Sequence, residues 1–312
     1  MAVNIRPTTL SEYIGQEEVK KKMSLYITCF KKKGLSFPHT LIFSNAGKGK
    51  TTLARCLAGE LGVDFIEVFG PTLKTAEDFF RVLSNGGKRL KDNVILFLDE
   101  VHSVPTEVLE LLYGLMEDGI IIIGSKAYKL PPITVIGGTT SAGKIPKPLY
   151  TRFIEKCVLV DYTDDELTQM GMKTASKLGL NIEEGAVRKL VPVCSKTPRV
   201  LNNLIRAAQV FCIAYDIDVF RSSDVLSFLS FQGIDGEGFN INDKVYLKIL
   251  FNNIIDGVRQ PIGFNSICKK GNLIKDEVEN LIEPKLLLKE FITFSGKGRY
   301  LTDKGLEYVS KL

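Results

Sequence analysis

Residues 44–52, which read Ser-Asn-Ala-Gly-Lys-Gly-Lys-Thr-Thr, constrain the fold of this chain more than any other segment. They follow the apolar run Thr40–Phe43 and precede residues 53–58, whose composition suits a helix. A strand, a glycine-rich turn, a Lys-Thr pair and a helix are the layout of a phosphate-binding loop. In such a loop the backbone N–H groups and the helix N-terminus face a polyphosphate, and Lys50 reaches the terminal phosphates. The Thr51 hydroxyl is then a candidate ligand for Mg²⁺.

The loop departs from its motif at the first position, where Ser44 replaces glycine. Serine adopts a positive φ only with steric strain, whereas glycine does so freely. If the loop requires a positive φ at Ser44, about 1–2 kcal/mol of strain is expected. Strain of this size would weaken nucleotide binding rather than abolish it, so the interpretation needs support from elsewhere in the chain.

Residues 93–100, which read Asn-Val-Ile-Leu-Phe-Leu-Asp-Glu, provide that support. A continuous apolar run is typical of a strand buried on both faces of a parallel sheet, and acids at its carboxyl end lie where such sheets bind ligands. Asp99 is predicted to join the Mg²⁺ shell and Glu100 to orient the attacking water. The alternative is a buried strand before a helix whose dipole favours acids. The phosphate-type loop upstream disfavours that alternative.

The order of apolar runs and helical segments predicts the arrangement of the fold. Between residues 40 and 160 strands alternate with helices, which predicts a parallel sheet covered by helices. The predicted strands are residues 41–43, 64–68, 94–98, 133–136 and 157–160. Residues 164–229 have an all-helical pattern that begins with an N-cap and acids at 163–166. After the turn-rich residues 233–238, helices and then a strand, a glycine turn and a strand at 290–302 are typical of a winged helix.

At 312 residues the chain is expected to form two or three domains. The predicted architecture is an α/β core with an N-terminal arm at residues 1–162, an all-α lid at 163–233 and a winged helix at 240–312.

Composition narrows the class of protein. Hydrophobic residues make up 45% and charged residues 25%, as in soluble globular proteins, and no apolar run approaches the roughly 20 residues of a membrane span. The N-terminus has no signal-peptide core, so a cytoplasmic location without membrane contact is expected. The six cysteines show no C-x-x-C spacing. Cys29, Cys56, Cys157 and Cys212 lie within apolar stretches, so most are predicted to be core residues in a reducing compartment. The net charge of +5 permits a nucleic-acid partner without requiring one.

Further polar residues lie at positions where phosphate chemistry would use them. Thr139 or Thr140, at the end of the fourth strand, can contact the γ-phosphate or its water, although a strand cap is the alternative. Arg152 is predicted to lie in a loop near the ligand edge of the sheet, as a finger for a neighbouring subunit or in a surface ion pair. Arg199 starts a helix and can reach back to phosphate. His102 is expected to be a satisfied polar residue, not a base.

Taken together, these segments resemble the RuvB family of AAA+ motors, which drive branch migration of Holliday junctions. The similarity extends through nearly the whole chain, and the matching segments are residues 5–7, 13–16, 49–52, 98–102, 116–118, 130–137, 148–153, 196–199, 283–292 and 298–299. The resemblance implies an AAA+ core, a helical lid and a DNA-binding winged helix. It also implies a homo-hexameric ring that draws double-stranded DNA through its pore by ATP hydrolysis, in homologous recombination and DNA repair.

The resemblance assigns roles to individual residues around ATP or ADP and Mg²⁺. The residues expected to border the base are Ile5, Arg6 and Tyr162. Those expected to bind phosphate and metal are Gly47, Gly49, Lys50, Thr51, Thr52, Asp99 and Glu100. The expected sensors are Thr139 or Thr140 and Arg199, with Arg152 as the finger acting in trans. The residues expected near the neighbouring subunit's nucleotide are Glu117, Asp118 and Gly119, and those expected on the DNA backbone are Lys297 and Arg299.

Departures from the family pattern qualify this interpretation. The family loop reads Gly-Pro-Pro-Gly-Leu-Gly-Lys, so residues 44–48 lack both prolines. Residues 119–129 leave room only for a short hairpin, and we do not expect the usual docking onto the junction-binding partner RuvA. Cations of the family are replaced by Ser141, Tyr150 and Phe294. Two alternatives therefore stay open: another AAA+ ATPase of DNA metabolism, such as a clamp-loader-like subunit, or a nucleotide-gated DNA-binding accessory protein that hydrolyses ATP poorly.

Overall fold

The computed structural model describes residues 4–84 and 93–312. The chain divides into two compact units. The first comprises Met1–Met170 together with Thr197–Arg199, and the second comprises Gly171–Lys196 and Val200–Leu312. The finer three-part division at residues 162, 233 and 240 stays a prediction.

The first unit is built on a five-stranded parallel sheet with the order β2-β3-β6-β1-β7. Its strands are β1 Thr40–Phe43, β2 Asp64–Phe69, β3 Val94–Asp99, β6 Ile133–Thr139 and β7 Glu155–Val158. The predicted strands are confirmed within three residues at each end, and the largest difference is at the end of β6. The central strand β3 is buried from Val94 to Leu98, which explains its unbroken apolar sequence.

Helices cover both faces of this sheet. They are α1 Glu17–Lys33, α2 Lys50–Leu61, α3 Ala76–Leu83, α4 Thr106–Asp118 and α5 Lys147–Arg152. One core forms where α3, α4 and α5 bury residues such as Phe79, Leu112 and Phe153. A second core forms where α1 and α2 bury Met23 and Leu57. The predicted α/β fold, a parallel sheet covered by helices, is therefore confirmed.

A short hairpin interrupts the parallel pattern after α4. Strands β4 Ile120–Ile123 and β5 Lys126–Lys129 pair antiparallel across Gly124 and Ser125. The ring of Tyr128 packs on Phe80 with a centroid distance of 5.1 Å, so the hairpin rests against α3. The predicted short hairpin is confirmed, whereas its consequence for a RuvA-like partner stays a prediction.

The predicted N-cap of the next helix is also confirmed. Helix α6 spans Asp164–Leu178, and Thr163 precedes it. The backbone N–H of Thr163 donates to Glu166 at 2.7 Å, and the N–H of Glu166 donates to the Thr163 hydroxyl at 3.2 Å. These reciprocal bonds form a capping box, which fixes the start of the helix.

The second unit begins with helices. They are the distal part of α6, α7 Glu184–Leu190, most of α8 Pro198–Ala214, and α9 Val225–Phe231. Aromatic rings hold them together, since Phe211, Phe220 and Phe228 pack edge-to-face at centroid distances of 5.5–6.5 Å. The predicted all-helical segment is thus present.

The C-terminal part of this unit is a winged helix. Its elements are α10 Ile241–Phe251, β8 Ile254–Ile255, β9 Val258–Arg259, α11 Phe264–Gly271, α12 Lys275–Glu277, α13 Glu283–Leu288, β10 Ile292–Ser295, β11 Gly298–Leu301 and α14 Asp303–Ser310. Strands β10 and β11 form the wing predicted from the glycine turn. Three mutually perpendicular rings, Phe239, Phe291 and Tyr308, lie within 5.3 Å of one another at the centre of its core.

Arg299 of the wing is committed to contacts within the protein. Its Nε donates to Glu283 at 2.8 Å, and its guanidinium lies over the rings of Phe264 and Phe294. The Tyr246 hydroxyl donates to the same Glu283 carboxylate at 2.7 Å. Lys297 is exposed at the turn between the two wing strands. Of the two predicted DNA-contacting residues, only Lys297 presents a fully exposed side chain.

Two sequence expectations concern burial. Cys56, Cys157 and Cys212 are buried as predicted, but Cys29 is exposed. The prediction that most of the cysteines are core residues is confirmed. Cys29 is the exception because α1 buries its Met23–Ile27 face, and residue 29 lies outside that stripe. In the described part of the chain, no helix is both long and apolar enough to cross a membrane.

The His39 side chain predicts a pH dependence of stability. The Val135 N–H donates to its Nδ1 at 2.9 Å, so Nε2 carries the proton that bonds the Met116 carbonyl at 3.1 Å. Burial lowers the pKa of His39. The unfolded chain therefore binds the extra proton more readily. The free energy of unfolding should fall as pH drops below about 6.5, by at most about 1.4 kcal/mol per pH unit.

This dependence can be measured by urea unfolding between pH 7 and 5.5, followed by circular dichroism. The His39→Gln variant keeps one acceptor and one donor but does not titrate. Its free energy of unfolding should therefore vary less with pH, because the contribution of His39 to the slope is absent. An unchanged slope in this variant would contradict the assignment.

Candidate nucleotide site

The glycine-rich loop connects β1 to α2 with its two glycines in the left-handed region. Gly47 has φ 77° and Gly49 has φ 101°. A Cβ on residue 47 would lie 2.7 Å from Cγ2 of Thr197, and a Cβ on residue 49 would lie 2.8 Å from the Tyr13 hydroxyl. Both positions therefore require glycine for backbone freedom and for space. The N-terminus of α2 opens directly after them, which leaves its first N–H groups for an anion.

Ser44 carries no backbone strain. Within the loop, a positive φ occurs only at Gly47 and Gly49. The backbone N–H of Ser44 donates to the Thr139 carbonyl at 3.2 Å, continuing the pairing of β1 with β6. Residue 44 thus still has extended, strand-like pairing. The strain anticipated from the sequence does not arise.

Lys50 is nearly buried at the start of α2. Its Nζ donates to the carbonyls of Ser44 at 2.9 Å and Asn45 at 3.3 Å, so it closes the loop on itself. Burial lowers the pKa of Lys50, and the charge of Arg199 acts in the same direction. The carboxylates of Glu100 and Asp99 oppose this shift. The loop therefore faces a mixed cluster of charges in which an added anion would stabilise the ammonium group.

The two acids at the end of β3 have different environments. Burial raises the pKa of Asp99, although the charge of Lys50 opposes the rise. Glu100 has φ 51°, and this turn directs its carboxylate toward β6. Its Oε2 accepts from the N–H of Thr140 at 3.0 Å and from its hydroxyl at 2.9 Å. Thr140 thus fixes the orientation of the candidate water-activating residue.

Thr139 and His102 extend this network. Nδ1 of His102 lies 2.9 Å from the Thr139 hydroxyl and 3.3 Å from Oε2 of Glu100. The Ser141 N–H donates to the same hydroxyl at 3.0 Å. Thr139 is fully buried, whereas Thr140 is partly accessible, so Thr140 is the better placed of the two for a ligand. His102 is a satisfied polar residue, as the sequence suggests.

A pair of buried tyrosines supports the loop from the side of the N-terminal arm. The hydroxyls of Tyr13 and Tyr162 lie 3.0 Å apart, and Tyr162 donates to the Lys48 carbonyl at 2.9 Å. Burial, together with the neighbouring Tyr162, raises the pKa of Tyr13 well above its usual value, so the pair stays protonated. Gln16 bonds both backbone groups of Val160, which ties the arm to the segment after β7. The predicted base-contacting Tyr162 therefore lies against the loop.

Lys48 provides a further tie. Its side chain is only 6% exposed, and its Nζ lies 2.7 Å from the Asp161 carboxylate. Neither Lys48 nor Tyr13 is assigned a role by sequence reasoning, because a lysine in a motif loop usually has a solvated head group. The only signal for Tyr13 is its place in the matching segment 13–16. These contacts hold the loop at residues 48 and 49, just after the two positions where the family has prolines.

Other predicted ligands are arranged around the same loop. Arg199 lies in the first turn of α8, close to Gly47. A Cβ added to residue 47 would lie 3.2 Å from the Cβ of Arg199. Thr51 and Thr52 lie half-buried in the first turn of α2. Ile5 is half-buried and Arg6 exposed, on an arm whose Pro7 carbonyl lies 3.5 Å from the Cys56 sulfur of α2.

The residues present fit a magnesium ion that is held jointly with phosphates. Among residues 4–84 and 93–312, no group of three or more His, Cys, Asp or Glu side chains forms a metal cage. Thr51 and Asp99 instead offer a hydroxyl and a carboxylate, the oxygen ligands that Mg²⁺ uses beside substrate phosphates.

Arg152 lies apart from this cluster. The prediction of a loop at the ligand edge of the sheet is wrong, because Arg152 is the last residue of α5. A crossover helix must carry the chain from the carboxyl end of β6 to the amino end of the parallel strand β7. Strand β7 begins at Glu155, which pairs with Thr40 at the start of β1. Arg152 is therefore separated from the phosphate loop by the length of β1, about 13 Å for four residues.

Glu117, Asp118 and Gly119 lie at that same amino edge of the sheet. They end α4, and the preceding Met116 carbonyl bonds His39 just before β1. Glu117 pairs with Arg152 at 2.7 Å. The structure thus forms two groups at opposite edges of the sheet, one around Lys50 and one around Arg152.

Comparisons with known proteins agree with this geometry. A curated protein described as Holliday junction branch migration complex subunit RuvB, from Bifidobacterium adolescentis, is 33% identical over 98% of this chain and 84% of its own length. This chain belongs to the RuvB family. The family described as Holliday junction DNA helicase RuvB P-loop domain matches residues 5–159, and the RuvB C-terminal winged helix domain matches residues 236–310.

Solved structures of RuvB have the same fold. The Thermotoga maritima protein, titled RuvB Holliday junction branch migration motor, superposes with a TM-score of 0.83 at 32% identity, covering 98% of both chains. A substituted form of that protein gives a TM-score of 0.84 at 31% identity over the same shares. The RuvB resemblance inferred from the motifs is therefore confirmed, and so is the combination of an AAA+ core with a winged helix.

The loop geometry yields a prediction that separates residue 44 from residue 47. Ser44→Gly should change the dissociation constant for ADP by less than about twofold, because no strain is relieved. Gly47→Ala should weaken binding by about tenfold or more, because about 1–2 kcal/mol of strain is added beside Thr197. Titration of a fluorescent ADP analogue measures both. A tenfold gain in Ser44→Gly would show that the loop is strained at its first position.

Proposed function

We propose that this chain is an ATP-dependent DNA motor that drives branch migration of Holliday junctions in homologous recombination and DNA repair. One observation supports the ATPase step above all others. The buried Lys50 at the opening of α2 interacts electrostatically with the half-buried Asp99 and Glu100, and Thr140 orients the Glu100 carboxylate. The names of the RuvB relatives support the junction as the substrate.

In the proposed reaction the loop N–H groups bind the phosphates of ATP. The Lys50 ammonium would exchange its hydrogen bonds to the Ser44 and Asn45 carbonyls for bonds to phosphate oxygens. The negative charge of the phosphate would then offset the cost of burying the ammonium group. Ile5, Arg6 and Tyr162 would border the adenine base. Magnesium, when held by Thr51 and Asp99, would neutralise charge on the phosphates.

The attacking water is proposed to bind Glu100. Because Thr140 occupies Oε2, the Oε1 atom is the one aimed at water. Thr140 would sense the γ-phosphate through the same contact, since a phosphate oxygen competes for its hydroxyl. Arg199 would add positive charge beside Gly47. Release of phosphate would then free Thr140 to hold Glu100 again.

We propose that the active form is a homo-hexameric ring. Arg152 lies at the opposite edge of the sheet from Lys50, so it would complete a neighbouring subunit's site rather than its own. Glu117, Asp118 and Gly119 lie beside it and would approach the same neighbouring nucleotide. A ring supplies this edge-to-edge contact at every interface.

DNA contact is proposed to come from the wing. Residues 240–312 carry twelve Lys and Arg against nine Asp and Glu, a modest positive balance. The segment of α12 and α13 is rich in acids, namely Asp276, Glu277, Glu279 and Glu283, so it suits phosphates poorly. Lys297 at the wing turn is exposed, whereas Arg299 is held by Glu283. Arg299 would support the wing that presents Lys297.

The two alternative functions are less well supported. A clamp-loader-like role does not account for the winged helix matched at residues 236–310. A poorly hydrolysing accessory role is suggested by Ser44 and by the family cations that Ser141, Tyr150 and Phe294 replace. The strain at Ser44 is not found, so only the replaced cations still favour it.

ATP turnover tests the proposal directly. Wild-type protein with Mg²⁺ should hydrolyse ATP faster when double-stranded or junction DNA is added. Lys50→Ala should abolish nucleotide binding, and Glu100→Gln should retain binding but lower turnover by at least about a hundredfold. A phosphate-release assay with and without DNA measures these effects. Turnover that DNA does not stimulate would contradict a motor function.

The wing assignment predicts a change in salt dependence. Lys297→Ala should weaken DNA binding and lower the slope of log affinity against log salt by about one per wing engaged. Fluorescence anisotropy with labelled duplex at several salt concentrations measures the slope. Lys311→Ala, which removes a cation paired with Glu307 on α14, is the matched control. Equal slopes for wild type and Lys297→Ala would place the DNA contact elsewhere.

A further inference from the structure

The guanidinium of Arg152 is held on three sides by its own chain. Nη2 lies 2.7 Å from Oε1 of Glu117, and Nη1 donates to the Pro148 carbonyl at 2.8 Å. The Tyr113 ring lies under the guanidinium, with its centroid 4.4 Å from Cζ. Nε is buried and has no hydrogen-bond partner in the described part of the chain. The contacts therefore fix the plane of the group, and each of Nη1 and Nη2 keeps a second N–H that can donate to a further acceptor.

Glu117 and Tyr113 both belong to α4. They are four residues apart, so they lie on the same face of the helix. This helix is anchored in the core by Val108, Leu112 and Leu115. Its first turn follows the segment of Glu100 and His102, and its last residue leads into the β4–β5 hairpin. Arg152 is thus braced against a rigid element rather than against a loop.

The pairing is not explained by folding stability. Glu117 is 54% exposed and Arg152 is 23% exposed, and a pair at such a surface contributes little to the folded state. A flexible arginine, by contrast, loses much rotational freedom when it must point in one direction. A carboxylate and a ring that hold the guanidinium beforehand remove that loss from the reaction step.

We propose that Glu117 and Tyr113 are positioning residues that orient Arg152 toward the phosphate of a neighbouring subunit. The inference rests on the proposed function. Although Glu117 would lie near the neighbour's nucleotide in the proposed ring, the inference assigns its effect on turnover to Arg152 of its own chain. Glu117 holds one edge of the guanidinium, and the remaining N–H groups face the transferred phosphoryl group. No bond in the reaction involves Glu117 itself.

A double-mutant cycle separates positioning from direct contact. Glu117→Gln should lower kcat of the DNA-stimulated ATPase about tenfold and change KM less than twofold. In an Arg152→Ala background the same substitution should have no further effect, because the group it orients is gone. Glu110→Gln removes the same charge from an exposed position on α4 and serves as the control. Tyr113→Phe should retain activity, whereas Tyr113→Leu should lower kcat, because only the ring face contacts Cζ.

Mixed rings test the direction of the effect. Lys50→Ala subunits, which cannot use their own site, donate Arg152 to Arg152→Ala subunits, which have intact sites. Rescue of turnover should fall about tenfold when Glu117→Gln is added to the donor. It should be unchanged when Glu117→Gln is added to the acceptor. The rescued turnover of mixed rings can be measured even where Arg152→Ala alone shows no turnover.

Three results would overturn the inference. Unaltered kcat in Glu117→Gln would show that Arg152 needs no brace. A full tenfold loss from Glu117→Gln within Arg152→Ala, or a rise in KM without a fall in kcat, would show that Glu117 acts on the nucleotide itself. In all three cases wild-type turnover leaves the proposed function standing. Absence of DNA-stimulated turnover in wild type would instead overturn the proposed function and this inference with it.

Discussion

Parallel pairing is the constraint on which the rest of this structure depends. Every strand of the sheet runs in one direction, so every connection must return from the carboxyl edge to the amino edge. The carboxyl edge collects Ser44, Asp99 and Thr140, which follow three neighbouring strands. The amino edge collects the ends of α4 and α5 with Glu117 and Arg152. One chain therefore places Lys50 and Arg152 at opposite edges of its sheet, and the proposed chemistry would need a neighbouring copy to bring two such residues together.

Much of this could be predicted from residue order alone. The unbroken apolar run of β3 and the glycines before Lys50 have single structural interpretations, and both are confirmed. The position of Arg152 was missed because Pro148 and its neighbours suggest a loop, although proline in a first helical turn is also favourable. Six residues are too few for a helical period to be recognised. Which of the cysteines is exposed could not be predicted, because apolar neighbours in sequence do not define a helix face.

The contacts that support the site could not be predicted, because they join residues far apart in the chain. A buried Lys48 beside Asp161 has no local signature, and nor has the Tyr13–Tyr162 pair. The φ of Ser44 depends on its bond to Thr139 in another strand. These contacts also explain how the loop tolerates the loss of two prolines. Proline stiffens a turn from within, whereas here the arm and the segment after β7 hold it from outside.

The ion pair of Arg299 with Glu283 has a consequence for how such a motor would bind DNA. Because that cation is paired within its own fold, each wing would offer a single exposed ammonium group, Lys297, to the DNA backbone. A single charge would make a weak and rapidly exchanging contact with the DNA. Six such contacts arranged around a ring would add avidity, although no single wing would bind the DNA tightly. Weak contacts of this kind suit a motor that must release the DNA at every step.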